Sequence, residues 1–354
     1  MFCIGFRVDA SNEIGMGHLM ESISLAESLK KMTKCEIVFL TRYFRPSLDI
    51  LEQHGYRTVV IRGKSEETEI AQIIQTIKKT KMKVLIVDLL NKKNGYFQKL
   101  KGLVKVLVVI LDDDKHRKVP ADIVVNFNIV QDKKFYQNLG SAETIYCIGP
   151  EYMPMPDYMH YEWKKNKIIP KKCKMIFVNQ GGSDPFGLTA KIIRSLEILN
   201  LGQKIVVVVG PAVSPRLKKE LLSLKPHLKN YYVFKWHPNQ EEMHQIMKES
   251  DLAITAAGNT LYELSVFGVP SIVICHHKKH NAVAKKFAQR NAIINLGIGK
   301  NISNQTIANS VKKLLSDHEK RVMLSNNAKK ITDGKGSERV SKIIICYLKT
   351  IIGE

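Results

Sequence analysis

The sequence predicts an α/β protein built from two Rossmann-like domains that face a cleft. Three observations carry this. Runs rich in Val and Ile alternate with helical patterns along the chain; one Pro-rich segment breaks the alternation near the middle; and a glycine-containing turn follows the first strand of each half. At 354 residues the chain is also long for a single core, so two domains are the expectation.

In the first half, apolar runs at 2–8, 35–40, 58–61, 84–87, 106–111 and 123–125 read as buried strands. Between them, helical spacing of apolar residues marks 18–31, 46–54, 66–79 and 95–103. The segment Gly149-Pro150-Glu151-Tyr152-Met153-Pro154-Met155-Pro156 then runs into polar, basic sequence. Its prolines oppose regular structure, so 151–174 reads as a linker between a domain at 1–150 and another at 175–354. The pattern restarts with strands at 175–178, 204–209, 232–234, 252–255 and 271–274, and the chain is helical from Ser303 onward.

Composition narrows the class. The net charge of +22 is uneven, about +4 over 1–160 and +18 over 161–354. Most of the excess is paired lysine, as in Lys218-Lys219, Lys312-Lys313 and Lys329-Lys330, with no aromatic-rich basic strip, so a nucleic-acid surface is not expected. Peripheral contact with an anionic membrane face stays open, but no apolar run reaches the roughly 20 residues that span a bilayer. The N-terminus reads as a strand and not as a signal peptide. Six scattered cysteines without a C-x-x-C pair suggest buried thiols in a cytoplasmic protein. Nothing in the sequence speaks to oligomeric state.

Three segments carry chemistry. Gly15-Met16-Gly17-His18 places a histidine where the first strand's loop becomes a helix, the usual ligand position in an open α/β sheet. Val178-Asn179-Gln180-Gly181-Gly182-Ser183-Asp184-Pro185 ends a strand in a glycine turn, with Ser183 or Asp184 able to cap the next helix and Pro185 at an early helical position. Ala256-Ala257-Gly258-Asn259-Thr260 forms a small-residue helix start whose N–H groups suit a diphosphate. One turn on, the Glu263 carboxylate suits the two hydroxyl donors of a ribose. Asp112-Asp113-Asp114 reads as a charged loop, and His276-His277 with His280 as a polar cleft edge; neither is expected to bind metal.

Arg7-Val8-Asp9-Ala10-Ser11-Asn12-Glu13-Ile14-Gly15-Met16-Gly17-His18 resembles the opening of the UDP-2,4-diacetamido-2,4,6-trideoxy-β-L-altropyranose hydrolases of pseudaminic acid synthesis, to which spore-coat polysaccharide proteins are related. The likeness continues in order through Leu111-Asp112-Asp113, Asp122 to Asn128, Gly149-Pro150-Glu151-Tyr152, Gly181-Gly182-Ser183-Asp184-Pro185 and Ala257 to Glu263. It implies the two-domain glycosyltransferase-B fold and a hydrolase that releases UDP from a UDP-sugar without metal or cofactor. His18 would be the base that activates water. Gly181, Gly182, Ser183, Ala257, Gly258, Asn259 and Thr260 would hold UDP, with Glu263 on the ribose. Arg7, Asp9, Glu13, Gly17, His280 and Asn281 would lie on the sugar side. The chain departs from the pattern at Met20 and Glu21, where an Arg is usual, and at Asp88-Leu89-Leu90, where a Tyr follows the Asp. The same cleft could instead serve a glycosyltransferase acting on a sugar or lipid-linked acceptor, or a nucleotide-sugar-binding protein without catalysis.

Overall fold

The computed structural model describes residues 2–11, 13–90, 92–111, 117–139 and 144–352. Asn12 and the acidic run Asp112, Asp113 and Asp114 lie outside them. Two compact units emerge: Met1–Tyr158 with Gly334–Glu354, and Met159–Asp333.

The first unit holds a parallel sheet of Phe2–Val8 (β1), Cys35–Thr41 (β2), Arg57–Val60 (β3), Met82–Asp88 (β4), Leu107–Leu111 (β5), Ile123–Asn126 (β6) and Ile145–Ile148 (β7), in the order β3-β2-β1-β4-β5-β6-β7. The last of these is not expected from the sequence, being four residues long with a polar flank. Strand period divides the residues between two faces. Ile4, Phe6, Val8, Val84 and Ile86 pack with Leu19, Ile23 and Ala26 of the helix Gly17–Met32. Cys3, Val38, Leu40, Leu85 and Val87 pack on the other side with Ile70, Ile73, Tyr96 and Phe97, from the helices Glu66–Thr80 and Asn94–Leu103.

The second unit repeats the plan with Met175–Asn179 (β8), Lys204–Val209 (β9), Tyr232–Trp236 (β10), Leu252–Thr255 (β11), Ser271–Cys275 (β12) and Ile294–Ile298 (β13), ordered β10-β9-β8-β11-β12-β13. In each sheet the order reverses direction beside the first strand, between β1 and β4 and between β8 and β11. Such switch points open a crevice at the carboxyl ends of the strands, where open α/β sheets bind ligands.

Three expectations need correction. The C-terminal helix Gly336–Ile352 does not belong with the second unit: Val340, Ile344 and Leu348 complete the first unit's core. Its apolar face is buried there because the chain crosses back, and local sequence does not encode that crossing. Gly336 sits so near the Met153 backbone that a Cβ would collide with it, and Ser337 Oγ–H donates to the Met155 carbonyl at 2.8 Å. The expected linker is likewise ordered, since Tyr158–Lys164 is helical once past the prolines. Of the six free cysteines, Cys35 is only half-buried and Cys346 is exposed.

Candidate functional site

In the first unit the site grows from the ends of β1 and β4. Val8 pairs with Asp88 in the register of these neighbours. Asp88 follows Val84 and Ile86 in the period-two pattern, so its side chain lies on the face covered by the helix Gly17–Met32. His18 is the second residue of that helix, and its Nδ1 stands 2.8 Å from Asp88 Oδ1. Asp88 is 4% exposed and His18 16%. In the tautomer that donates Nδ1–H to this carboxylate oxygen, the ring's acceptor lone pair is on Nε2.

The loop ahead of the helix is tightly built. Gly15 N–H donates to the Ser11 carbonyl at 2.8 Å with Gly15 at φ +80°, a left-handed value that favours glycine. Ser11 Oγ accepts from Glu13 and Ile14 N–H at 3.1 Å each, and Glu13 is exposed. No side chain caps the helix at Met16, and Gly17 adds no bulk at its first turn.

Arg7, which the family likeness puts on the sugar side, packs inward. Its odd position on β1 turns it to the opposite face, where it is fully buried. Nε and Nη2 donate to Glu69 Oε1 at 3.0 and 2.8 Å, and Nη1 and Nη2 to Asp9 at 2.5 and 2.8 Å. Arg42 Nη2 and Tyr96 Oη–H also donate to Glu69, at 2.9 and 3.0 Å, and Arg42 N–H donates to Asp9 at 2.8 Å. Burial alone would raise the Glu69 carboxyl, but Arg7 and Lys92 with these hydrogen bonds hold it below the ordinary carboxylate range. Arg7 therefore anchors Asp9 and the end of β1. Glu69, Arg42 and Tyr96 escaped the sequence reading because they converge only through the fold.

In the second unit the turn after β8 carries Gly181 at φ +82°, and Gly181 N–H donates to Asn179 Oδ1 at 3.0 Å. Asp184, not Ser183, closes the following helix. Its carboxylate accepts from Leu188 and Thr189 N–H at 2.8 Å each, so that helix is Leu188–Leu196 and Pro185 lies in the turn before it, not at an early helical position. Gly210, which the sequence did not single out, admits the Gly182 backbone so closely that any Cβ would collide with it. After β11, Ala257 is buried and Gly258 opens the helix Asn259–Phe267 without a side-chain cap. A Cβ at Gly182 or Gly258 would meet open space, so these turns leave room for a ligand against the backbone. Thr260 lies in the first helical turn, and Glu263 Oε1, one turn on, is 3.5 Å from His244 Nε2.

Beyond β12, His277 caps the helix Lys278–Gln289, with Nδ1 accepting from His280 N–H at 3.4 Å. Asn281 Oδ1 accepts from Asn295 Nδ2 at 3.1 Å. The sequence-derived residues thus gather into two groups: Asp9, Glu13, Gly17 and His18 at the carboxyl end of the first sheet, and Gly181 to Ser183, Ala257 to Thr260, Glu263, His280 and Asn281 in the second unit.

Among the described residues, one group of side chains could hold a metal ion. His18, Glu21 and Asp88 bring a ring nitrogen and two carboxylate oxygens within 4.8 Å of one another. The adjoining helix N-terminus carries positive potential and disfavours a cation there. No described helix is long and apolar enough to cross a membrane.

Two doubly wound units with glycine turns at both switch points define a protein of the glycosyltransferase-B fold. Residues 175–340 match the glycosyltransferase family 28 C-terminal domain. The chain is 26% identical over 347 residues to the spore coat polysaccharide biosynthesis protein SpsG of Bacillus subtilis, covering 96% of this chain and 97% of that protein. It is 25% identical over 287 residues to the UDP-2,4-diacetamido-2,4,6-trideoxy-beta-L-altropyranose hydrolase of Campylobacter jejuni, covering 80% and 96%. The S. aureus MnaA–UDP co-structure superposes with a TM-score of 0.70 at 16% identity, over 99% of this chain and 97% of that one.

Proposed function

We propose that this protein is a UDP-sugar hydrolase of surface polysaccharide or nonulosonic acid biosynthesis, which cleaves the bond between the anomeric carbon and the UDP oxygen. The contact between His18 and Asp88 at the first sheet's switch point carries the reading. His18 Nε2 takes a proton from water as the water oxygen bonds to the anomeric carbon. The C1–O bond breaks with its electron pair leaving on UDP, and the free sugar emerges with inverted configuration. Asp88 positions the ring and stabilises the imidazolium that forms.

In the second unit, the N–H groups of the turns at Gly181, Gly182 and Ser183 and at Ala257 to Thr260 receive the diphosphate, and helix dipoles offset the charge developing on it. Glu263 accepts from the ribose hydroxyls. No metal is needed for this chemistry. The relationship to the Campylobacter jejuni hydrolase supports hydrolysis, and that to SpsG supports a role in polysaccharide synthesis.

The family 28 domain match favours a second reading, transfer of the sugar to a sugar or lipid-linked acceptor, with His18 deprotonating an acceptor hydroxyl. Incubating the pure protein with a panel of UDP-sugars separates the two. Hydrolysis yields UDP and free reducing sugar in equal amounts without acceptor. UDP release only upon adding an acceptor would establish transfer, and binding without release would leave a nucleotide-sugar-binding protein.

A further inference from the structure

The second unit leaves a set of buried polar atoms unpaired beside the proposed nucleotide turn. Gln180, directly before Gly181, is 2% exposed, yet neither Nε2 nor Oε1 has a hydrogen-bond partner. His276, directly after β12, is 6% exposed, and its Nδ1 is also unpartnered. Burying such groups without partners is unfavourable, so their retention needs a reason.

The geometry supplies one. His276 Nε2 lies 3.0 Å from the Gln180 carbonyl oxygen, which can only accept, so Nε2 carries the proton. In the neutral ring Nδ1 is then an acceptor. Because β11 lies between β8 and β12, the His276 ring must reach over the carboxyl end of β11 to make this contact, and so it bridges the switch point of the sheet. Gln180 and His276 each continue the parity of Val178 and Ile274, on the face of the helix Leu188–Leu196.

Two further rings complete the feature. Phe186, 57% exposed, stacks on His276 at 5.9 Å between ring centroids and an interplanar angle of 28°. An exposed aromatic fixed on a buried, hydrogen-bonded ring offers a flat apolar face that carbohydrate C–H groups can cover. His280 meets His276 edge-on at 5.7 Å, and its own Nδ1 is buried and unpaired. Burial and the neighbouring His277 and His276 push His280 down to about 3, so it adds no charge. The surroundings therefore offer an amide donor, an amide acceptor and ring acceptors. They match a neutral substituent that both donates and accepts.

We propose that Gln180 and His276, with Phe186 against the ring, form a specificity subsite that reads a neutral donor–acceptor substituent of the sugar, an acetamido or a hydroxyl group. This rests on the reading of the protein as UDP-sugar-binding and adds how it selects among such sugars. Gln180 Nε2 donates to the substituent's oxygen, and His276 Nδ1 accepts its N–H or O–H.

Calorimetric titration of the full chain and of Gln180→Leu and His276→Phe with UDP, UDP-glucose and UDP-N-acetylglucosamine tests it. Each variant should bind UDP as the parent does and lose about tenfold of its affinity for a sugar nucleotide relative to UDP. A loss confined to UDP-N-acetylglucosamine assigns the acetamido group; a loss shared with UDP-glucose assigns a hydroxyl. Gln180→Leu should also raise the Tm of the ligand-free protein, because it removes unpaired buried atoms, and this shows that the variant folds. An unchanged ratio of sugar-nucleotide to UDP affinity, or an equal loss for UDP, overturns the subsite. Failure of the parent protein to bind UDP would instead overturn the functional reading beneath it.

Discussion

His18 Nδ1 and Asp88 Oδ1 stand 2.8 Å apart although 70 residues separate them in the chain. The contact joins the first helix to the strand beside β1 and engages Nδ1 of the ring. Asp88→Asn should therefore lower kcat by about 10²–10⁴-fold, the usual worth of a general base, with KM and UDP affinity little changed. His18→Ala should lose at least as much, and the double variant little more, because the two act as one unit. Steady-state kinetics with UDP titration checks this, and near-normal turnover in either variant removes the pair from catalysis.

Glu263→Ala should weaken UDP binding by about 1.5–3 kcal/mol, the range for hydrogen bonds to a charged group. Turnover at saturating substrate should survive, since ribose contacts change little between ground and transition states. Calorimetry with UDP is the measurement, and equal affinities would take Glu263 out of the site.

Activity should persist in excess EDTA. The residues that would answer for a contrary result are now specific, because His18, Glu21 and Asp88 are close enough to share an ion. Loss of activity on chelation with recovery on adding Mg²⁺ or Mn²⁺ would make them ligands and rule out a metal-free mechanism.

Gly210→Ala should destabilise the second unit by about 1–3 kcal/mol, the usual cost of overpacking, because its methyl must displace the Gly182 backbone. The same displacement should weaken UDP binding. Urea unfolding and UDP titration read both effects, and a variant of normal stability would mean that the turn yields freely.

The buried Glu69 carboxyl is held below its ordinary value of 4.5 in the folded protein. Between that depressed value and the unfolded one, the unfolded chain binds more protons than the folded. The contribution is thus complete above about pH 4.5 and is lost as pH falls through the folded value. Glu69→Gln should be less stable at neutral pH and should show a shallower loss of stability in acid, as followed by denaturant midpoints against pH. A parallel acid profile would assign the slope to other carboxylates.

What the sequence determined by itself is what neighbouring residues encode. Apolar period placed eleven of the strands, glycine and small residues marked the turns at Gly181 and Gly258, and the start of the first helix put His18 at a sheet edge. These follow from local backbone preference and from the need to bury alternating faces. Short strands with polar flanks, such as Ile145–Ile148, lacked that signal. The tertiary structure alone decided which strand lies beside β1, and hence that Asp88, visible in sequence only as part of a departure from a family pattern, meets His18. It also decided that Arg7 turns inward to Glu69, that the C-terminal helix returns to the first unit, and that His276 reaches across a strand end to Gln180. Each joins groups distant in the chain through strand order and helix docking, which are set by the packing of the whole core and by no local run of residues.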